Sequence, residues 1–131
     1  MTINDLSSEE YQTFINNNST QGYLRIKAYS ASEAVPISGV DIVVTKEINN
    51  RNITFFEGST NESGLIEYIP LPTPEINSDN LNAPNYSTYN ISATYKDFNN
   101  NYSVNLFEDV FVVQNINVKP TYNTRGSIYG S

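Results

Sequence analysis

The sequence has no cysteine and no histidine, and these two absences exclude most familiar kinds of catalytic and metal chemistry. Without cysteine there is no disulfide, no thiolate metal site and no thiol nucleophile. Without histidine there is no side chain whose ordinary pKa lies near neutrality, and the commonest zinc ligand is missing. A glycine-rich phosphate loop and a nucleophile elbow are also lacking. The sequence therefore predicts a protein that is not an enzyme and that binds no metal ion or cofactor.

Basic residues are few as well. Seven lysines and arginines stand against fourteen acidic residues, so the formal net charge of the 131-residue chain is −7. Phosphate binding needs clustered basic side chains, so we expect no nucleic acid partner. No apolar run approaches the ~20 residues of a transmembrane span, and the first residues lack the features of a secretory signal. We therefore expect no membrane span and a protein that either stays where it is made or has had its export signal removed, since no secretion signal is visible.

Residues 1–21 differ from the rest of the chain and predict an arm with a short helix. Ser7 and Glu10 have the S-x-x-E spacing of a capping box. A helix of two to three turns is marginal alone in water, so its apolar stripe must pack on something. The stripe can cover the chain's own sandwich, or it can dock on a neighbouring subunit. The candidate subunit contacts in this arm are Leu6, Tyr11, Phe14 and Ile15.

From residue 22 to residue 120 the hydrophobic pattern has a period of two. Seven short alternating segments separated by turn residues predict an all-β domain. We expect a seven-stranded antiparallel sandwich of the immunoglobulin-like or prealbumin-like kind, with the short N-terminal helical arm beside it. The predicted strands read GYLRIKAYS, VDIVVTKEI, NITFFEGST, GLIEYIPL, TYNISATYK, NYSVNLF and VFVVQNINVKP.

Two further segments are candidate contact surfaces. Residues 70–87 contain four prolines and no periodicity, which predicts an ordered strap between the sheets, since proline favours extended backbone. Its candidate loop contacts are Leu71, Ile76 and Leu81. Residues 121–131 form a C-terminal tail that keeps apolar side chains, and Ile128 and Tyr129 are its candidate subunit contacts.

Five short motifs resemble carboxypeptidase-regulatory-like domains, which are prealbumin-like sandwiches related to the repeats of bacterial surface adhesins. The similar form is found in the N-terminal region of clostridial spore cortex-lytic enzymes. The resemblance covers about residues 22–120 and implies the same fold in an accessory module. It departs from those enzymes because the chain ends soon after the last motif. The motifs are P-I-x-G-V at 36–40, T-x-x-S-G at 60–64, L-x-x-P at 71–74, Y-x-I at 89–91, and the closing V-K-P at 118–120.

The adhesin repeats in this resemblance often carry an isopeptide bond between lysine and asparagine, assisted by a buried acid. Lys27 on the first strand and Asn115 or Asn117 on the last are the matching candidates. The acid that normally follows the Y-x-I strand is missing, and Glu67 on another strand is the nearest substitute. Lys27 also falls on the face opposite Leu24, so we expect no such bond.

Together these observations predict a non-catalytic structural or assembly subunit of a bacterial surface, with a spore as the expected location. Its partners are other copies of itself or surface proteins, and it associates through its terminal segments. The alternative is an accessory binding or inhibitory module that recognises a peptidoglycan-like polysaccharide or an enzyme. The arm discriminates between these two functions, because a ligand-binding module does not need it.

Overall fold

A computed structural model describes residues 6–32, 34–76 and 85–119, and it contains one short helix and seven strands. All seven predicted strands and the predicted all-β sandwich are confirmed, with boundaries that shift by a few residues. The elements are α1 (Ser8–Asn17), β1 (Thr20–Ser30), β2 (Asp41–Ile48), β3 (Arg51–Ser59), β4 (Leu65–Thr73), β5 (Tyr86–Tyr95), β6 (Phe98–Phe107) and β7 (Phe111–Val118).

The strands form two sheets that face each other. One has three strands in the order β4-β1-β7, and the other has four in the order β3-β2-β5-β6. The predicted antiparallel sandwich is confirmed in its general form, and one pair departs from it: β1 and β7 are parallel, with Tyr23 opposite Phe111. The other strand pairs are antiparallel. Parallel pairing is possible there because the chain passes through the second sheet before it returns beside β1.

The core lies between the inner faces of the two sheets and follows the predicted alternation. Leu24 and Ile26 on β1 are fully buried, as are Ile42 on β2 and Ile116 on β7. Tyr89 is also fully buried, and its hydroxyl donates a 2.6 Å hydrogen bond to the carbonyl oxygen of Pro72. A buried tyrosine hydroxyl needs such a partner, because an unpaired polar group in the core is costly.

The turns explain how this register is held. β2 and β3 are joined at Asn49 and Asn50, whose φ angles are 54° and 64°. Two successive residues with positive φ suit a tight hairpin turn, and asparagine tolerates that conformation better than most residues do. After β3, the side-chain Oδ1 of Asn61 accepts hydrogen bonds from the backbone of Ser63 and Leu65. Both turns lie in the gaps between the strand segments that the sequence predicted.

The predicted strap begins later than the sequence suggested. β4 continues to Thr73, so Leu71 lies in the core with 1% of its surface exposed, and its prediction as a loop contact is wrong. β4 is an edge strand, where proline is tolerated because its missing N–H is not needed on the open side. Pro70 and Pro72 therefore interrupt no sheet pairing that β4 requires.

Candidate functional site

Helix α1 packs on its own sandwich, which is the first of the two alternatives that the sequence left open. Its capping box is confirmed: the backbone N–H of Glu10 donates to Ser7 Oγ, and that of Ser7 donates to Glu10 Oε1. The ring of Phe14 lies 5.5 Å from that of Phe55 on β3, and Phe14 is 7% exposed. Leu6 is buried as well. These two residues are therefore already covered by the chain that carries them.

A charged contact ties the same helix to the β2–β3 hairpin. Arg51 donates hydrogen bonds from Nη2 to both carboxylate oxygens of Glu10, at 2.6 and 2.7 Å, and Asn49 Nδ2 donates to Oε2 at 2.8 Å. The backbone hydrogen bond from Ser7, followed by those from Arg51 and Asn49, lowers the pKa of Glu10 to about 2. The carboxylate is thus held in its charged form while the helix is docked.

The remaining residues of the predicted contact set are more accessible or lie outside the described part of the chain. Tyr11 is 42% exposed, and Ile15 is half-buried. Ile76 is 56% exposed, and its backbone N–H donates to Glu108 Oε1. Leu81, Ile128 and Tyr129 fall outside the described residues.

Lys46 lies on the inner face of β2 beyond Val44, where it approaches the ring of Tyr89 at 5.2 Å. Partial burial lowers its pKa, and a lysine in such a setting can act as a base in some enzymes. Its Nζ donates to the carbonyl oxygen of Thr88 at 3.1 Å. The described contacts are thus a ring and a backbone carbonyl, an arrangement that packs the end of the sandwich.

The candidates for an isopeptide bond come together only in part. Lys27 and Asn115 are neighbours in the β1–β7 register, whereas Asn117 is opposite Tyr29. Lys27, Asn115 and Glu67 are all exposed on the outer face of the three-stranded sheet. This position lacks the buried surroundings that the resemblance implies for the reaction. In the described part of the chain, no three aspartates or glutamates gather as they would around a metal ion.

Strand β6 is an open edge of unusual composition. Within the described residues it pairs only with β5, so one side of its backbone has no strand partner. Its ten residues, FNNNYSVNLF, include no charge, no proline and no glycine. Natural edge strands are commonly protected by lysine, proline or a bulge, because an open edge invites pairing with another chain. The sequence pattern predicted this strand but not its place at the edge.

A cluster of three aromatic side chains lies on the outer face of the three-stranded sheet. Tyr23 on β1, Tyr68 on β4 and Phe111 on β7 have ring centroids 5.3, 5.7 and 6.1 Å apart, which places them at the corners of a small triangle. Tyr68 is 56% exposed and Phe111 is 47% exposed. Tyr23 lies deeper, and loss of solvent, together with Tyr68 and Asp109 nearby, raises its pKa. We call these three residues the aromatic cluster.

Arg25 lies next to the aromatic cluster on the same face. Its guanidinium carbon is 5.2 Å from the centroid of the Phe111 ring, and its Nε donates to the carbonyl oxygen of Glu67 at 3.2 Å. Stacking on a ring and one fixed hydrogen bond hold the guanidinium in a defined orientation. The sequence showed many tyrosines on strands, but only the register across three strands brings these residues together.

No helix in the described ranges is long and apolar enough to cross a lipid bilayer. No family model matches the chain, and no curated protein matches it. Among solved structures, the chain is similar to 5-hydroxyisourate hydrolase from Klebsiella pneumoniae, with a TM-score of 0.51 and 18% identity over 77% of this chain and 92% of that chain. At this identity the likeness shows the fold alone. The described residues form a prealbumin-like β-sandwich with one short helix.

Proposed function

We propose that the protein is a non-catalytic assembly subunit that associates with another copy of itself through the edge of β6. The observation that carries this proposal is the open ten-residue strand without charge, proline or glycine. Two β6 strands that pair antiparallel about a two-fold axis would join two four-stranded sheets into one continuous sheet of eight strands. Main-chain hydrogen bonds would supply the attraction, as they do wherever a strand is added to a sheet edge.

The other edges of the described sandwich are less suited to this pairing. β4 contains Pro70 and Pro72, and β3 carries Arg51 and Glu57. β7 shares the uncharged composition of β6, but it is two residues shorter and borders the smaller sheet. β6 is thus the longest open edge that carries no protecting residue. Because α1 packs on its own sandwich, we assign the proposed contact to β6 and not to the N-terminal arm.

The wider role follows from the motifs in the sequence. Their resemblance to carboxypeptidase-regulatory-like domains supports an accessory module at a bacterial surface, and we propose a spore as its location. The solved structure to which the chain is similar is named as a hydrolase. The absence of histidine and cysteine supports a different, non-catalytic role for this chain.

Sedimentation equilibrium at several protein concentrations tests the proposal. We expect the unmodified protein to form dimers. The variant with Asn101→Lys and Ser103→Lys should be monomeric, because both residues are exposed on β6 and added lysines block an edge. The added lysines make the acidic protein less negative and so reduce the general repulsion between its copies. A change in net charge therefore cannot explain a loss of association.

The matched control places the same two lysines one strand further in. Asn90 and Ser92 are the β5 neighbours of Ser103 and Asn101 in the register, and Asn90→Lys with Ser92→Lys should leave the dimer intact. A monomer at the highest concentration of the unmodified protein would show that the proposal is wrong. Loss of assembly in Tyr11→Ala, with no effect of the β6 lysines, would assign the contact to the arm instead.

A further inference from the structure

The outer face of the three-stranded sheet combines exposed aromatic rings with cations, in a chain whose net charge is negative. Tyr68 and Phe111 are each about half exposed, and the less exposed ring of Tyr23 packs against both. Of the seven basic residues in the chain, Arg25 and Lys27 lie on this face at successive outward positions of β1, where their acidic neighbours are Glu67 and, beside Tyr23, Asp109. An exposed aromatic cluster calls for an explanation, because large apolar surface in water usually marks a binding site.

The orientation of Arg25 indicates what this face can bind. Its Nε is occupied by the carbonyl oxygen of Glu67, and this is the one hydrogen bond that Arg25 makes to the described residues. Among the described residues the two terminal nitrogens therefore have no hydrogen-bond partner, and their N–H groups can donate to a ligand. A guanidinium held in this way presents a pair of parallel donors, which match the two oxygens of a carboxylate. The stacked Phe111 ring reduces the freedom that such a contact would otherwise cost.

The size of the cluster favours a sugar over a protein surface. The three ring centroids form a triangle whose sides, 5.3 to 6.1 Å, are comparable in scale to one pyranose ring. Aromatic rings are apolar on their faces, and tyrosine adds a hydroxyl that can bond to a sugar hydroxyl. A stable protein interface needs roughly 800 Å² from each partner, far more than the three rings and the exposed Val113 opposite Arg25 provide.

We propose that the aromatic cluster and Arg25 form a binding site for an acidic polysaccharide, with the rings against a sugar and the guanidinium on its carboxylate. Lys27, exposed two residues further along β1, extends the positive charge toward the next unit of the polymer. This site lies on a different sheet from β6, so it does not rest on the proposed self-association. The net charge of −7 opposes general attachment to an anionic polymer, so binding depends on the local site.

Affinity electrophoresis in gels that contain polygalacturonate tests the proposal. Highly methyl-esterified polygalacturonate is the matched neutral polymer, because it has the same rings without the charge. We expect the charged polymer to retard the protein and the esterified polymer to retard it much less. Arg25→Gln should weaken the apparent affinity for the charged polymer at least about tenfold, since a hydrogen bond to a charged group is at the strong end of its range. Tyr68→Ala should also weaken this affinity, because it removes an exposed ring of the aromatic cluster.

Two control variants separate this site from general effects of charge and aromaticity. Lys96→Gln removes a cation that lies 5.2 Å from the Tyr95 ring at the β5–β6 turn, and Tyr86→Ala removes a ring that pairs with Phe107 on the other sheet. Both should leave the retardation unchanged. Absence of retardation of the unmodified protein overturns the proposal, as does equal retardation by both polymers. A change of sedimentation mass in Tyr68→Ala without a change in retardation would assign the face to a protein contact instead.

Discussion

Phe14 of α1 and Phe55 of β3 pack with their ring centroids 5.5 Å apart, and Phe55 in turn meets the buried ring of Tyr89 edge-on at 5.4 Å. This line of three rings connects the N-terminal helix to the core of the sandwich. The helix is only ten residues long and would be marginal alone in water. Its stability therefore depends on this aromatic contact and on the ion pair between Glu10 and Arg51.

Replacing Phe14 with alanine should release α1 from the sandwich. We expect the free energy of unfolding to fall by about 3 kcal/mol, at the lower end of the range for such a change at a buried site. Hydrogen exchange should show loss of protection in Ser8–Asn17 but not in β5. Tyr11→Ala is the matched control, because this exposed residue of the same helix should change neither quantity much. Full protection of α1 in Phe14→Ala would contradict the proposed role of the ring pair.

The helix contact should also weaken in acid. The pKa of Glu10 is lowered from 4.5 to about 2 in the folded protein, so its contribution to stability is complete above 4.5 and is lost as the pH falls toward 2. The amide resonance of Ser7, which donates to Glu10 Oε1, should titrate with a midpoint near the lower value.

Two variants check the assignment of this titration. Arg51→Gln should move the midpoint back toward 4.5, because a charged hydrogen-bond donor is lost. Glu10→Gln should abolish the titration, whereas Glu9→Gln, at an exposed position of the same turn, should not. A midpoint close to 4.5 in the unmodified protein would show that Arg51 does not hold this carboxylate in solution.

Ile91 reports on the register of the sandwich. It is 1% exposed on β5 between Tyr89 and Ala93, so Ile91→Ala should lower the free energy of unfolding by roughly 2–5 kcal/mol in a denaturant titration. Ser92→Ala, on the opposite face of the same strand, should cost much less. A cost below about 0.5 kcal/mol at Ile91 would mean that the strand is shifted by one residue, which would exchange its two faces.

The covalent state of the chain can be tested by mass spectrometry. Lys27 and Asn115 are neighbours on a solvent-exposed face, so we expect no isopeptide bond and an intact mass equal to that of the sequence. A deficit of one ammonia that disappears in Lys27→Ala would overturn this expectation.

The sequence predicted the strands and the buried faces well, because alternation is a local property. Each of Leu24, Ile42 and Ile91 has an apolar residue two positions away, and all three are buried. The end of β4 was missed because the prolines at 70 and 72 resemble a loop, and only the position of the strand at a sheet edge makes them acceptable.

The candidate surfaces were harder to predict than the fold. Tyr23, Tyr68 and Phe111 are ordinary strand residues when each is considered alone, and they meet only because β1 lies between β4 and β7. The capping box of α1 was evident from Ser7 and Glu10, but the partners of the helix were not. Arg51 and Phe55 are far from it along the chain, and no local pattern records such a pairing.

Because β1 pairs in parallel with β7, the three-stranded sheet cannot form until β7 itself has been translated. The hairpins β2–β3 and β5–β6 are local and can form early, whereas β1 must wait for the segment that begins at Phe111. At ~5–20 residues per second, the apolar face of β1 stays incompletely covered for several seconds on the ribosome. A chain cut short before β7 would leave β1 beside β4 alone, exposed to proteases and to aggregation. Ribosome-bound fragments should therefore gain protease resistance in one late step, after β7 has emerged.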